Sequence, residues 1–543
     1  MRLRSLLARA VALAGVSAVL GTAPAPPVGA APARPAGAAP ARPAGTAPIP
    51  HAGTAPALHT GPHDPPVPPG APPGTSHGTS HGGGTSHGGG TSHGGGAGAE
   101  ALHADTMDAA GPVISEALVR EIRSKTRVRS IIQLKPGQSV QAVAGDIEQA
   151  SESSRVLETA ASPNFFVAEV DQLTLAKLRK DGRVQSVYKD ALSAPTPLGS
   201  SVTNQGLETS TRLIGSDRAN SAGWTGRGTT VAVLDTGIDR DHPFFSGRLV
   251  DEACFSSSDA SDGTISLCPN NQPSQTGAGA ADAETAQCLS DGANACTHGS
   301  HVAGIAAGRM VAGAPSNGVA PDAGILAIQV FSRVDNPLSC VMRGIEAPCF
   351  LSYTSDQKLA LEYVSRVARA LNVAAVNMSL GGGGPFTAAC DEDPEAAAVK
   401  PEFDTLAGLG VASVVAAGNN GFTDGVTTPA CISTAVTVGA TDNQDALASF
   451  TNRGPLLDLF APGVAIRSSV PGGTYEEKSG TSMAAPHVAG VFALMKQAFP
   501  AYTVAQSLER LQTTGRPLQY TADETTVTTP RIDAEQATAG ASA

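Results

Sequence analysis

The sequence predicts an α/β fold: a doubly wound parallel sheet preceded by a small α+β unit. Three observations carry this. Beyond Gly228, short β-branched apolar runs (Val231 to Leu234, Ile325 to Phe331, Ala374 to Leu380, Val411 to Ala417) alternate with helical patterns. Between two of them, Ala360, Val364, Val367 and Leu371 follow the i, i+4, i+7, i+11 spacing of one helix face. With one Trp and an aromatic content of 4%, the core must be built from Val, Ala, Leu and Ile, small enough to let helices lie close on strands.

The chain of 543 residues has room for two or three domains, and its composition is uneven. Residues 1–30 read as a secretory signal peptide: Arg2, Arg4 and Arg9, an apolar stretch from Ala10 to Leu20, and small residues ending at Ala30. The apolar stretch is too short to span a bilayer. Residues 31–112 are Ala/Pro-rich, then repeat Thr-Ser-His-Gly-Gly-Gly, a composition that cannot bury enough apolar surface to fold and reads as a spacer. His77, His81, His87 and His93 recur in it, but the surrounding glycine gives no fixed metal geometry. Residues 113–190 change character. Val128 to Leu134, Phe165 to Val170 and Val184 to Tyr188 read as strands, and Val140 to Ala150 and Leu173 to Leu178 as helices. A linker, 191–212, leads to the main domain, 213–538.

Four side chains in that domain point to chemistry. Asp235 ends a strand buried on both faces, where a carboxylate is costly without a partner. The Thr236-Gly237 turn puts it at the carboxyl edge of the sheet, where open α/β folds place their crevice. His298 opens the Ala/Gly-rich segment His298 to Gly304, and a neutral imidazole is the natural base near neutral pH. Metal chelation by His298 with His301 competes, though His-x-x-His without a nearby Glu or Cys donor set is a weak zinc pattern. Asn419 follows the strand-like run Val411 to Gly418 and can donate an amide hydrogen bond into a crevice. Ser482 lies in Gly480-Thr481-Ser482-Met483-Ala484, at a loop-to-helix junction. A helix from Ala484 to Met495 tolerates Pro486 in its first turn and sets Ser482 at the positive end of its dipole.

Asp235, His298, Asn419 and Ser482, in this order and each in a glycine-flanked context, resemble the motifs of the subtilisin-like serine proteases, whose triad runs Asp, His, Ser. The resemblance spans roughly residues 205 to 538 and includes Gly318-Val319-Ala320-Pro321, Asn377 to Gly382 and Ala461-Pro462-Gly463. It implies a subtilisin-type sheet and an active serine endopeptidase acting on proteins or peptides. Ser482 would be the nucleophile, His298 its base, Asp235 the group that orients His298, and Asn419 with the Ser482 N–H the oxyanion hole. Ser379, Leu380 and Gly381 would pair with extended substrate, and with Ala416 and Gly418 line the pocket, Thr427 lying at its floor. Residues 113–190 resemble the ferredoxin-like inhibitory propeptide that precedes many such enzymes, folds them, fills their cleft and is cut off autocatalytically, here between about Asp190 and Leu213.

Eight cysteines, all between Cys254 and Cys431, argue for disulfides and an extracellular destination. The simplest connectivity pairs 254 with 268, 288 with 296, 340 with 349 and 390 with 431, but the sequence does not fix it. A net charge of −12 gives no attraction to nucleic acid or anionic membrane, and a secreted monomer is expected. No cofactor or catalytic metal is expected, and a structural calcium stays possible without a specific motif to support it. Phe244 follows His242-Pro243 where relatives carry an acidic calcium ligand, which puts that site in doubt. Two other readings remain: a narrowly selective maturation protease, its cleft restricted by the cysteine-bearing segment between Asp235 and His298, and a catalytically silent peptide-binding protein.

Overall fold

A computed structural model of the chain describes residues 111–541, apart from 152, 159–161, 196–205 and 343–344. The leader expected at 1–30 and all but the last two residues of the spacer, including its four histidines, lie outside the described residues.

The first unit contains β1 (Val113–Ile114), α1 (Glu116–Glu121), β2 (Val128–Leu134), α2 (Val140–Glu148), β3 (Arg155–Glu158), β4 (Phe165–Val170), α3 (Gln172–Leu178) and β5 (Val184–Lys189). The strands form one sheet in the order β1-β5-β2-β4-β3. Ser139 and Asp171 cap α2 and α3 by accepting N–H groups of the first turn, which fixes where each helix starts. Strand alternation divides the apolar side chains. Ile132, Leu134, Phe166 and Ala168 face the helices of this unit, whereas Ile131, Phe165 and Val167 join a core of the main domain. The small unit therefore shares apolar surface with the larger one.

Strand β6 (Leu192–Pro195) follows, then, past the undescribed residues, α4 (Leu207–Leu213). Leu207 is fully buried in the main core, so this body extends back through residues read from the sequence as linker. Its central elements are β7 (Thr230–Asp235), β8 (Leu249–Phe255), α5 (Thr297–Ala307), β9 (Gly324–Gln329), β10 (Cys349–Tyr353), α6 (Thr354–Val367), β11 (Val373–Met378), β12 (Leu380–Phe386), β13 (Ala412–Ala416), β14 (Ala435–Thr441), β15 (Leu459–Pro462), α7 (Thr481–Ala498), β16 (Arg516–Ala522) and β17 (Thr525–Arg531). Seven of them run parallel in the order β8-β9-β7-β11-β13-β14-β15. The antiparallel hairpin β16–β17 extends one edge, and Ser274–Thr276 pairs antiparallel at the other. The sheet is buried on both faces. In β7, Val231 and Val233 enter the core beneath α5 and α7, while Ala232 and Leu234 enter the opposite core with α6.

Chain order reverses between β7 and β11, so the crevice at a topological switch point falls at their carboxyl ends. Element limits depart from the sequence reading for local reasons. Strand β9 ends at Gln329, whose Oε1 accepts the Phe331 N–H at 2.8 Å. The run Ala374 to Leu380 is divided at Ser379, which leaves the sheet as β12 starts a separate ladder. Helix α7 begins at Thr481, so Pro486 sits in its second turn rather than its first. Proline offers no N–H to Ser482 O four residues back, and the Ser379 hydroxyl donates to that carbonyl at 2.9 Å instead. Disulfides join Cys254–Cys268, Cys288–Cys296, Cys340–Cys349 and Cys390–Cys431, the simplest of the sequence connectivities.

Candidate active site

Asp235 closes β7 with its carboxylate 1% exposed, and the burial is compensated locally. Thr236 N–H donates to Oδ1 at 2.7 Å, and His298 Nδ1–H donates to Oδ1 at 2.8 Å and to Oδ2 at 3.0 Å. This fixes the tautomer that leaves Nε2 as the acceptor. The imidazole is delivered by the first turn of α5, which reaches the β7 turn because residue 299 is glycine: a Cβ there would lie 2.0 Å from Gly237 O. Gly299 N–H then donates to Thr236 Oγ1 at 2.9 Å, and Lys478 Nζ donates to Thr297 Oγ1 at 3.0 Å. His301 faces elsewhere. It is fully buried with Nε2 against Ile466 O and Glu476 O, and burial, with Lys478 and His298 nearby, holds it well below the usual imidazole range.

Ser482 is the second residue of α7 and is buried. Its Oγ donates to Ser379 O at 3.3 Å, and the Ser379 hydroxyl, itself accepting from Asn377 Nδ2 at 3.0 Å, donates to Ser482 O. His298 Nε2 is buried without a hydrogen bond. In this arrangement the hydroxyl donates to Ser379 O, and its proton must be redirected before the imidazole can accept it.

Asn419 lies beside the nucleophile. Thr481 N–H and Thr481 Oγ1–H both donate to its Oδ1, at 2.8 and 2.9 Å, while Gly418 N–H donates to Thr481 Oγ1 at 3.2 Å. With the oxygen so held, the amide nitrogen is the group left to donate elsewhere, and it lies close to Gly480. Gly480 makes the approach possible, since a Cβ there would stand 2.9 Å from Asn419 Nδ2.

Leu380 and Gly381 form a strand edge that is already paired: Leu380 faces Pro195 and Gly381 faces Ala194, antiparallel. On its other side β6 pairs with β10, Ser193 opposite Ser352 and Leu192 opposite Tyr353. Residues 192–195 thus lie as an added strand between β10 and β12. Leu192 and Ala194 pack on Val334, Leu351 and the Cys340–Cys349 bridge. Thr427 adjoins both glycines of the pocket segments; its Oγ1 would be 2.8 Å from a Cβ on Gly381 and 3.0 Å from one on Gly418. The Ala416 methyl lies in the core beneath the sheet. Thr481, Thr236, Asn377 and Lys478 were not singled out by the sequence reading; only their adjacency to the motifs pointed to them.

Asp235 paired with His298 at the end of β7, with Ser482 bonded to Ser379 just past the end of the neighbouring β11, is the kind of arrangement a serine peptidase uses. Comparison with known proteins makes this specific. Residues 226–536 match the sequence profile of the subtilase family of S8 peptidases, and the chain belongs to that family. It is similar to subtilisin E of Bacillus subtilis (strain 168), at 31% identity over 399 residues, 72% of this chain and 86% of that protein. Subtilisin of Bacillus pumilus is 34% identical over 301 residues, covering 54% of this chain and 86% of that protein. A crystal structure of a cold adapted subtilisin-like serine proteinase aligns with 30% identity and a TM-score of 0.37, covering 54% of this chain and 83% of that one. The chain is a serine endopeptidase with protein substrates. Among the described residues no helix is long and apolar enough to cross a membrane.

Proposed function

We propose that this is a secreted, self-processing subtilisin-like endopeptidase whose residues 113–190 act as an inhibitory propeptide. His298 Nε2 takes the Ser482 proton as Oγ attacks a peptide carbonyl, and returns it to the leaving amine as the C–N bond breaks to leave an acyl-enzyme; a water deprotonated by the same imidazole then hydrolyses the ester and frees Ser482. Asp235 holds the imidazole and stabilises its charged form. The oxyanion is met by Asn419 Nδ2 and the Ser482 N–H at the positive end of α7. The reading requires no metal or cofactor.

The observation that carries it is the antiparallel pairing of residues 192–195 on both sides in the cleft, ending at Pro195 beside Leu380, one residue from Ser379 and its bond to Ser482. A peptide bond just beyond Pro195, within the 191–212 linker, is the proposed first substrate. The apolar wall of Val334, Leu351 and Cys340–Cys349 against Leu192 and Ala194 favours a selective enzyme over an indiscriminate one. Wild type and Ser482→Ala, expressed in a host lacking other proteases, test the reading by mass. Wild type is expected to lose the segment before about residue 200 while the variant keeps it. Equal maturation of both would refute self-cleavage.

A further inference from the structure

Arg129 on β2 reaches out of the small unit and ends inside the main domain, its side chain 7% exposed. Nε–H donates to Asp190 Oδ2 at 2.7 Å, a partner from the same unit. Its other hydrogen-bond, ion-pair and ring contacts are with the main domain. Nη2 donates to Ser257 Oγ at 2.9 Å and to Ser355 Oγ at 3.5 Å. Nη1 lies 3.8 Å from Asp259 Oδ2, and the guanidinium carbon stands 4.2 Å over the Tyr353 ring.

Ser355 is held from the small unit, its hydroxyl and N–H donating to Asp190 at 2.7 and 2.9 Å, whereas the main domain itself orients Ser257 and Tyr353. Ser257 Oγ–H and N–H both donate to the fully buried Asp356 carboxylate, at 2.8 and 2.9 Å, so the Ser257 lone pairs are turned to the guanidinium. Tyr353 O–H donates to Asp262 at 2.9 Å, fixing the ring face. Asp259 Oδ2 is buried and accepts no hydrogen bond. A flat cation suits a ring face and forked acceptors better than the compact ammonium of lysine does. Once the segment up to Pro195 leaves, both Arg129 and Asp190 go with it. The domain is left with an aromatic face, the oriented Ser257 hydroxyl and the Asp259 and Asp356 carboxylates without the cation that had faced them.

We propose that the main domain carries a guanidinium-binding site, formed by Tyr353, Ser257, Ser355, Asp259 and Asp356, that anchors Arg129 before processing and afterwards receives an arginine side chain of another polypeptide. Tyr353 also pairs with Leu192 in β10, so an arginine here is held beside the strand that fills the cleft. A cleft of about 500 Å³, lined in part by Arg127, Arg129, Asp190 and Asp262, opens beside the site and gives a small competitor its route in.

The inference rests on the self-processing reading, and the test separates the two. Full-length chain is allowed to process, mass loss is followed, and the onset of peptidase activity is timed in arginine amide or lysine amide at equal ionic strength. Arginine amide is expected to shorten the lag by about threefold or more relative to lysine amide, because it competes for the anchor. Arg129→Met is expected to shorten it by about tenfold or more, since it leaves a buried carboxylate unpaired at the interface. Equal lags in the two amides overturn the inference with processing intact, whether or not Arg129→Met folds. Absence of Ser482-dependent mass loss refutes self-processing, and with it the claim that the site is ever vacated.

Discussion

If the proposed mechanism holds, Asn419→Ala removes one donor from the place where negative charge develops. Its amide orientation is set: Thr481 N–H and Oγ1–H both bond Oδ1, so the oxygen cannot turn toward the substrate and Nδ2 must. Loss of such a donor costs about 2.7–4 kcal/mol of transition-state stabilisation, or about a hundred- to a thousandfold in kcat. Because the oxyanion exists only in the transition state, KM should change little. Thr481→Val keeps the N–H bond and deletes the hydroxyl bond, so the amide is less well held. One neutral hydrogen bond is worth about 0.5–1.5 kcal/mol, which gives roughly a two- to tenfold loss. Steady-state kcat and KM on a chromogenic peptide, with the first-order rate of precursor mass loss as a single-turnover measure, decide it. A drop below about tenfold for Asn419→Ala, or one confined to KM, would refute the assignment of Asn419 to the oxyanion.

Two stability predictions follow from the surroundings. His487 is fully buried, with Nδ1–H donating to Met483 O and Nε2 against Ser210 Oγ, and burial lowers its pKa from 6.5 to about 4. The unfolded chain takes up the proton first, so stability present above the unfolded pKa is lost as pH falls toward 4, to the extent of about 3 kcal/mol. His487→Gln should flatten the fall in urea-unfolding free energy between about pH 7 and 4.5; an unchanged slope would exclude this histidine as the cause. Among the disulfides, Cys390–Cys431 spans 41 residues and Cys288–Cys296 spans 8, so chain entropy assigns them about 4 and about 2.5 kcal/mol. Paired Cys→Ala variants in a Ser482→Ala background, which prevents self-digestion, should unfold in that order of severity, and the reverse order would count against an entropic origin.

The sequence carried the elements whose signal is local. Strand β7 was readable because Val231 to Leu234 are apolar on both faces, and the position of Asp235 at its end followed from Thr236-Gly237. The N-terminus of α7 was misplaced by three residues because Pro486 reads as a first-turn proline; the Ser379 hydroxyl that satisfies the vacated carbonyl comes from more than a hundred positions away. For the same reason Arg129 gave no signal: an arginine in a strand reads as a solvated face until Tyr353 and Ser257 are known to surround it. The hairpin β16–β17 went unread, since its strands, largely exposed and Thr-rich in β17, lack the buried apolar run that marks the parallel strands. Ser482 and Asn419 were legible as residues, but which way the hydroxyl points was not, because rotamers depend on neighbours contributed by other elements.

The strand in the cleft has one more implication. Leu192 to Pro195 belong to the same covalent chain as the groove they occupy, so their effective concentration there is set by the tether and not by the solution. Dilution cannot empty the groove, and a rival polypeptide must compete against an occupant that never diffuses away. Only scission of the backbone turns that permanent neighbour into an ordinary ligand, whose hold then weakens with every increase in volume.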